Sequence, residues 1–454
     1  MTNNKKLVSL IFIVFILLMG VTIWLVFYSL DNNRITPYPD GTEVGYVYIG
    51  GKNTWQAENA LRKEINKWKN AENLKIELSY QNQAYTIDVD PSIFRFDINK
   101  TIQNAIEKEK MQYDQGINVI VVDFSEGNEY YIENLLSEHY DNLKFSAFDI
   151  EIIKSEVLKN VSFLFKEIYI DLGIAVNDET AKETPIGDPV VLIYNQAEFL
   201  KNRIEFMIKK PFEIKEQSQF SLNDFLIEIY SNEDNQISET KLENVNEIYD
   251  LYFSEDELNI IATGIYQTIL DTNFKNISKH ISDKLPAFVS QAGLEANVHI
   301  GYDFTTEDRV DDLNQPYTMI TEITFSNLKD LTFNNPNNYS YYIEVNNDVN
   351  EHNQNVLTFQ LYGTPFINTY SHYFAVHKEI LQGETLWPSN DVSPGEKELV
   401  DAGYSGYRSI VARKTKISYP GSNGLKEVNQ ILSEDIYMPK DAIFKVFDPT
   451  SNDE

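Results

Sequence analysis

Residues 7–30, LVSLIFIVFILLMGVTIWLVFYSL, carry no charge over 24 positions, and a helix of that length rises far enough to cross a hydrocarbon core of about 30 Å. Such a run sorts the rest of a chain between two compartments. Lys5 and Lys6 precede it, while Asp31, Arg34 and Asp40 follow. The lysine bias predicts a short tail (1–6) inside and the body of the chain, beyond a polar linker (31–43), outside. Trp24, Phe27 and Tyr28 lie toward the outer end, where amphipathic rings favour the headgroup layer. The competing assignment, a cleaved signal peptide, has a shorter apolar core of about 7 to 15 residues and a small-x-small site, and no such site precedes Asp31. The expectation is an uncleaved signal anchor: a single-pass protein of the cell membrane with a C-terminal ectodomain.

A length of 454 residues with 42% hydrophobic and 13% aromatic side chains suffices for several packed cores. There is no cysteine, so disulfides, thiol chemistry, thiolate metal sites and a lipoprotein anchor are all excluded. An exported body without cysteine points to a Gram-positive envelope. The formal charge of −31 repels phosphate backbones, which argues against nucleic acid as a partner. Wall polymers are also anionic, so attraction to them must come from specific sugar or peptide contacts.

Along the ectodomain, VGYVYI (44–49) reads as a strand ending at Gly50 and Gly51. From Thr54, taken as N-cap, Ala57, Ala60, Leu61, Ile65 and Trp68 recur at helical spacing to about Lys69. LKIELSY (74–80) and AYTIDVD (84–90) alternate as a hairpin, and a second helix is predicted from Asn99 to about Gln112. Strand, helix, hairpin and helix make a compact α+β unit over 44–112. INVIVVDF (117–124) reads as a strand, with helical stretches near 128–139 and 149–165 and a strand near 168–172, which would make a second α+β unit within 113–189, closed by the polar linker 177–189. YYIEV and VLTFQLYG, around NNDVNEHNQN, form a hairpin over 341–363.

Three segments resemble known families. GYVYIGG, the Ala-containing helix, the hairpin and DP..FRFDINKTIQNAI resemble the N-terminal peptidoglycan-binding domain of VanW-type and YoaR-like wall proteins. Residues 190–370 resemble a VanW domain, through Ile265-Tyr266, His280, GLEA (293–296) and DLTFNN (330–335). Where that family has GGGxCQ, this chain has EDELNI (255–260), with Asn259 in place of the cysteine. The resemblance therefore implies a degenerate VanW-like site at Asn259 and His280. Residues 371–448 are similar to the G-five domain, a small extracellular β module, through Gly395, Gly403, Gly406, Gly424 and Pro439; residues 449–454 form a tail. The fold class expected is α+β, with an N-terminal transmembrane helix, α+β modules and an elongated all-β C-terminal module.

The sequence carries no nucleophile elbow or phosphate-cradling glycine loop. The six histidines, His139, His280, His299, His352, His372 and His377, show no metal-binding spacing. His372 and His377 lie five apart on one expected strand, which would place them on opposite faces. Asn346, Asp348, Asn350 and Glu351 imitate the start of a calcium loop, but the sixth position lacks glycine and the twelfth lacks glutamate, so a solvated turn is expected. No metal and no cofactor is expected. Sugars are held by exposed aromatic rings with polar groups beside them, and Trp387, Tyr404 and Tyr407 are the candidates, the two tyrosines flanking the glycines of the last module. The function implied is non-catalytic binding of peptidoglycan or an associated wall glycan. The alternative is a scaffold or sensor that recruits an envelope protein.

Overall fold

The computed structural model describes Tyr38 and residues 42–80, 83–110, 119–140, 145–173, 184–194, 204–205, 207–232, 241–242, 255–310, 315–417 and 426–448. The apolar run 7–30, most of the linker after it and the tail 449–454 lie outside the described residues. Among the described residues, no helix is long and apolar enough to cross a membrane. The architecture is α+β, with six α-helices described and a strand-rich C-terminal third.

In the N-terminal unit, the helix Thr54–Lys69 is capped by Asn53 rather than Thr54. The Asn53 carboxamide accepts from Gln56 N at 2.9 Å, and Asn53 N donates to the Gln56 side chain at 3.0 Å, a reciprocal capping box. Ala57, Leu61, Ile65 and Trp68 are buried, as their spacing requires. The expected strand 44–49 is instead a minimal hairpin. Glu43–Val44 pairs with Val47–Tyr48 around Gly45 (φ 52°) and Tyr46 (φ 67°), both in the positive-φ region that tight two-residue hairpin turns need. A Cβ at Gly45 would stand 2.6 Å from Ser162 O, so the turn is pressed against the end of a distant helix.

The strand Leu74–Tyr80 is central in a three-stranded sheet, antiparallel to Gln83–Val89 and parallel to Glu167–Asp171. A parallel neighbour demands a crossover, supplied here by the chain bearing the helices Ile98–Lys110, Tyr131–His139 and Ala147–Val161. The segment read as a second unit from residue 113 therefore completes the first sheet. Phe96 and Leu164 pack against both hydrophobic clusters of this region, joining them.

The middle region is built on a four-stranded sheet in the order Pro185–Tyr194, Asn355–Tyr362, Tyr341–Val349, Phe212–Ile214. The helix Glu255–Ile269 packs across it, with Gly264 directly over the ring of Phe359. The hairpin 341–349/355–362 falls where alternation placed it, and Asn350 Oδ1 closes its turn by accepting from His352 N and Gln354 N. A smaller sheet joins Ser218–Ser221, Thr332–Asn335 and Lys275–Ser278. A long hairpin, His299–Val310 with Pro316–Lys329, has no counterpart in the sequence expectations.

The C-terminal region has two three-stranded sheets. Thr369–Ile380, Gly406–Ile417 and Lys426–Tyr437 form the first; Glu384–Ser389, Ala442–Phe447 and Lys397–Asp401 form the second. The chain passes between them three times, through 381–383, 402–405 and 438–441. Gly403 and Gly406 lie at this waist because backbone runs there at close range. A Cβ would stand 2.3 Å from Lys440 O at Gly403 (φ 58°) and 2.1 Å from Tyr437 O at Gly406. Gly395 (φ 87°) serves an open turn, and Gly424 lies outside the described residues.

The first C-terminal sheet is clamped by both other regions. On its central strand, Ser409 and Val411 would touch a Cβ at Gly293, and Arg413 enters the middle core. From the N-terminal unit, Asp171 accepts from Tyr370 Oη and Asn368 Nδ2, buried Glu156 accepts from Gln430 Nε2 at 2.7 Å, and Glu43 pairs with Arg408 at 2.9 Å.

Candidate functional site

Asn259 and His280 meet the same short segment from two sides, and they meet it as fasteners. Asn259, buried on the helix Glu255–Ile269, accepts a hydrogen bond from Val298 N at 2.8 Å. Asn297 N donates to His280 O at 2.8 Å. Thr263 Oγ1 both accepts from Ala296 N and donates to Ala296 O, and Ser282 N donates to Glu295 Oε1. The amide oxygen of Asn259 is thus committed to backbone. These contacts tie residues 295–298 to the helix.

Around that segment lies a set of buried ionisable groups shared with the C-terminal sheet. Tyr437 Oη donates to Glu295 Oε2 at 2.5 Å. Lys279 pairs with Asp435 at 2.7 Å, both side chains under a tenth exposed. Burial raises the carboxyls of Asp435 and Glu295 above the usual carboxylate range, although Lys279 pulls each back toward ionisation. Burial also lowers the Lys275 ammonium, and it lowers the Arg413 guanidinium to about 10. The Tyr437–Glu295 and Lys279–Asp435 contacts and the bonds from Arg413 all cross from the C-terminal sheet to the middle region, so the cluster acts as a joint.

The three aromatic candidates are separated by the fold. Tyr404 pairs through its backbone with Lys440 at the waist, and the Lys284 ammonium sits 5.1 Å from its ring centroid. Tyr407 stacks on His377, with centroids 6.0 Å apart and planes at 19°, and packs toward Ile281, Ala292 and Tyr437. Neither ring presents a bare platform. Trp387 does: it is 48% exposed on the second sheet, beside Lys445.

His372 and His377 depart from expectation. A bulge between Phe374 and Val376 inserts one residue, so His372 faces Arg413 and His377 faces Ser409, two positions on the same side of the central strand. His372 Nδ1 lies 2.8 Å from Asp271 Oδ1.

The opposite face of that sheet holds a groove of about 490 Å³ lined by Ser371, Tyr373, Lys414, Lys416 and Asn429. Strand register assembles it. Ser371, Lys414 and Asn429 form one cross-strand row, Tyr373 lies in the row with Ala412, and Lys416 lies in the row with Thr369 and Glu427. Residues two apart on a strand share a face, so these side chains converge without any loop. Beside the groove stands Tyr46 of the N-terminal hairpin, whose hydroxyl is pushed up to about 12 by burial, then by Glu434, with a smaller contribution from Tyr373. A ring, an amide, a hydroxyl and two ammonium groups suit a hydroxylated ligand with an apolar face. The sequence signal was the alternation Arg413-Lys414-Thr415-Lys416, in which every second residue takes the outer face.

No family model matches the chain, so the wall-binding and VanW-type resemblances find no counterpart there. No curated protein matches it either. Among solved structures, the G5 domain of the IgA1 protease is 17% identical, covering 18% of this chain and 89% of its own, with a TM-score of 0.15. The HP0197 G5 domain is 15% identical, covering 17% of this chain and 96% of its own, with a TM-score of 0.13.

Proposed function

We propose that the chain is a membrane-anchored extracellular protein that binds peptidoglycan or an associated wall glycan without catalysis. The observation that carries this reading is the outer-face groove, where Tyr373 is surrounded by Ser371, Asn429, Lys414 and Lys416. The apolar run 7–30 supports the location. The sheet bearing the groove is held against two other regions, which keeps the groove's shape fixed before a ligand arrives and lowers the entropy cost of binding. Trp387 on the second sheet is an additional contact for an extended polymer.

The test is retention of the full-length protein, in detergent, on insoluble peptidoglycan at low and high salt. Retention is expected in both, and Tyr373→Ala is expected to weaken it. Absence of retention in both conditions overturns the reading.

A second reading, a scaffold recruiting an envelope protein, draws on the second C-terminal sheet, where Leu386, Leu399 and Val400 are about half exposed. In-cell crosslinking from this sheet then yields a defined protein. Recovery of wall fragments alone counts against it.

A further inference from the structure

The groove is an electrostatic exception in this protein. The chain has 38 lysines and arginines against 69 aspartates and glutamates, so its overall field repels anions. Two of the five groove residues are nevertheless lysines. Lys414 and Lys416 project from the same strand face, their Cα atoms about 7 Å apart. A single carboxylate answers both: Glu427 Oε2 lies 3.5 Å from Lys414 Nζ and Oε1 lies 4.0 Å from Lys416 Nζ. These are loose pairs, the lysine side chains 38% and 46% exposed and Glu427 49% exposed, and such pairs hold their partners weakly. One carboxylate between two ammonium groups leaves one positive charge over. Within reach of it, Ser371 and Asn429 flank Lys414 and the Tyr373 ring stands one row further on.

We propose that the groove selects a sugar bearing a carboxylate, a deepening that rests on the glycan-binding reading above. The sugar ring lies on Tyr373, Ser371 and Asn429 meet its hydroxyl or amide groups, and its carboxylate sits between Lys414 and Lys416. The acidic remainder of the surface works in the opposite direction on dense polyanions, which carry too many charges for one small cationic spot to offset. Local attraction set in a repulsive field favours an isolated carboxylate on an otherwise uncharged saccharide.

The experiment titrates the full-length protein in detergent with N-acetylmuramic acid and, separately, with N-acetylglucosamine, which keeps the ring and acetamide but lacks the carboxylate. N-acetylglucosamine 6-phosphate serves as a third arm. At low salt the acid is expected to bind about tenfold more tightly than the neutral sugar. In Lys414→Gln/Lys416→Gln the ratio of the two affinities should fall to about one, and in the unsubstituted protein it should shrink as salt rises. Thermal melting of the variant checks that the fold is kept. Equal affinity for acid and neutral sugar overturns the selectivity and leaves glycan binding standing. A phosphate arm that outcompetes the carboxylate also overturns it. A preference that survives in the double variant removes it from this groove. Failure of every sugar to bind overturns both readings together.

Discussion

Arg413 Nε donates to Leu270 O at 2.9 Å across 143 positions of sequence. The same guanidinium donates to Phe274 O at 2.8 Å and Ile269 O at 3.3 Å, so one side chain of the C-terminal sheet satisfies carbonyls left open where the helix Glu255–Ile269 ends and another just before the strand Lys275–Ser278. Removing it strands those oxygens in a place from which water is excluded. Arg413→Met is expected to cost about 3 kcal/mol. Arg413→Lys should recover little of this, because an ammonium cannot reproduce the planar fork. Denaturant unfolding of the two variants checks the order.

Gly264 reverses the usual helical preference. Glycine to alanine within a helix ordinarily gains about 1 kcal/mol, but here a Cβ would fall 2.1 Å from Phe359 Cζ. Phe359 is fully buried in the strand Asn355–Tyr362 and cannot swing away without displacing the core. Gly264→Ala should therefore destabilise by about 1 to 3 kcal/mol. Gly264→Ala/Phe359→Leu should fall short of the sum of its single effects, and additive thermal shifts would refute the contact.

Stability should respond to pH opposite to the common acid-labile pattern. Burial raises the carboxyls of Asp435, Glu295 and Glu434. A raised native pKa means that the folded state holds protons the unfolded state has released. The contribution is complete below the ordinary carboxylate range and declines as pH climbs through the raised native values. Asp90 and Asp401 shift downward through hydrogen bonds from Ser92 and Lys440, respectively, but both are solvent-facing and act only under more acidic conditions. Melting temperature should rise on going from about pH 8 to about pH 5. Asp435→Asn should flatten that rise, and a parallel profile for the variant would rule out this carboxyl as a source.

Where burial is one-sided, the fold was readable from sequence. The helix Thr54–Lys69 and the hairpins 74–89 and 341–362 declare themselves because one face must be apolar. The hairpin His299–Lys329 is exposed along most of its outer strand, so no apolar alternation was needed to build it. The turn at Gly45-Tyr46 lacks the usual Asn-Gly signal; its tyrosine accepts a positive φ while stacked near Phe163 and Phe165. One inserted residue near Phe374 brought His372 and His377 to a common face, a change that no periodicity count detects. The groove was hidden for a related reason. Its five residues come from three strands, and only register, which depends on bulges and partners, sets them side by side.

Asp171 and Tyr370 join the N-terminal unit to the first C-terminal sheet. The Tyr370 hydroxyl donates to Asp171 Oδ2, and Asn368 Nδ2 donates to the same oxygen at 3.1 Å. Asp171 is 3% exposed and Tyr370 is 9% exposed; burial, then the neighbouring Asp171, pushes the phenol well above its ordinary range. Tyr370→Phe leaves the carboxylate one charged-acceptor bond short, at a cost of about 2 kcal/mol. Asp171→Asn weakens the same contact from the other side, so the two changes remove one interaction twice. The double variant should therefore be more stable than additivity predicts, with a coupling of about 1 to 2 kcal/mol. Denaturant unfolding of the four-member cycle reads this directly, and strict additivity would mean that the two regions are not held together through this bond.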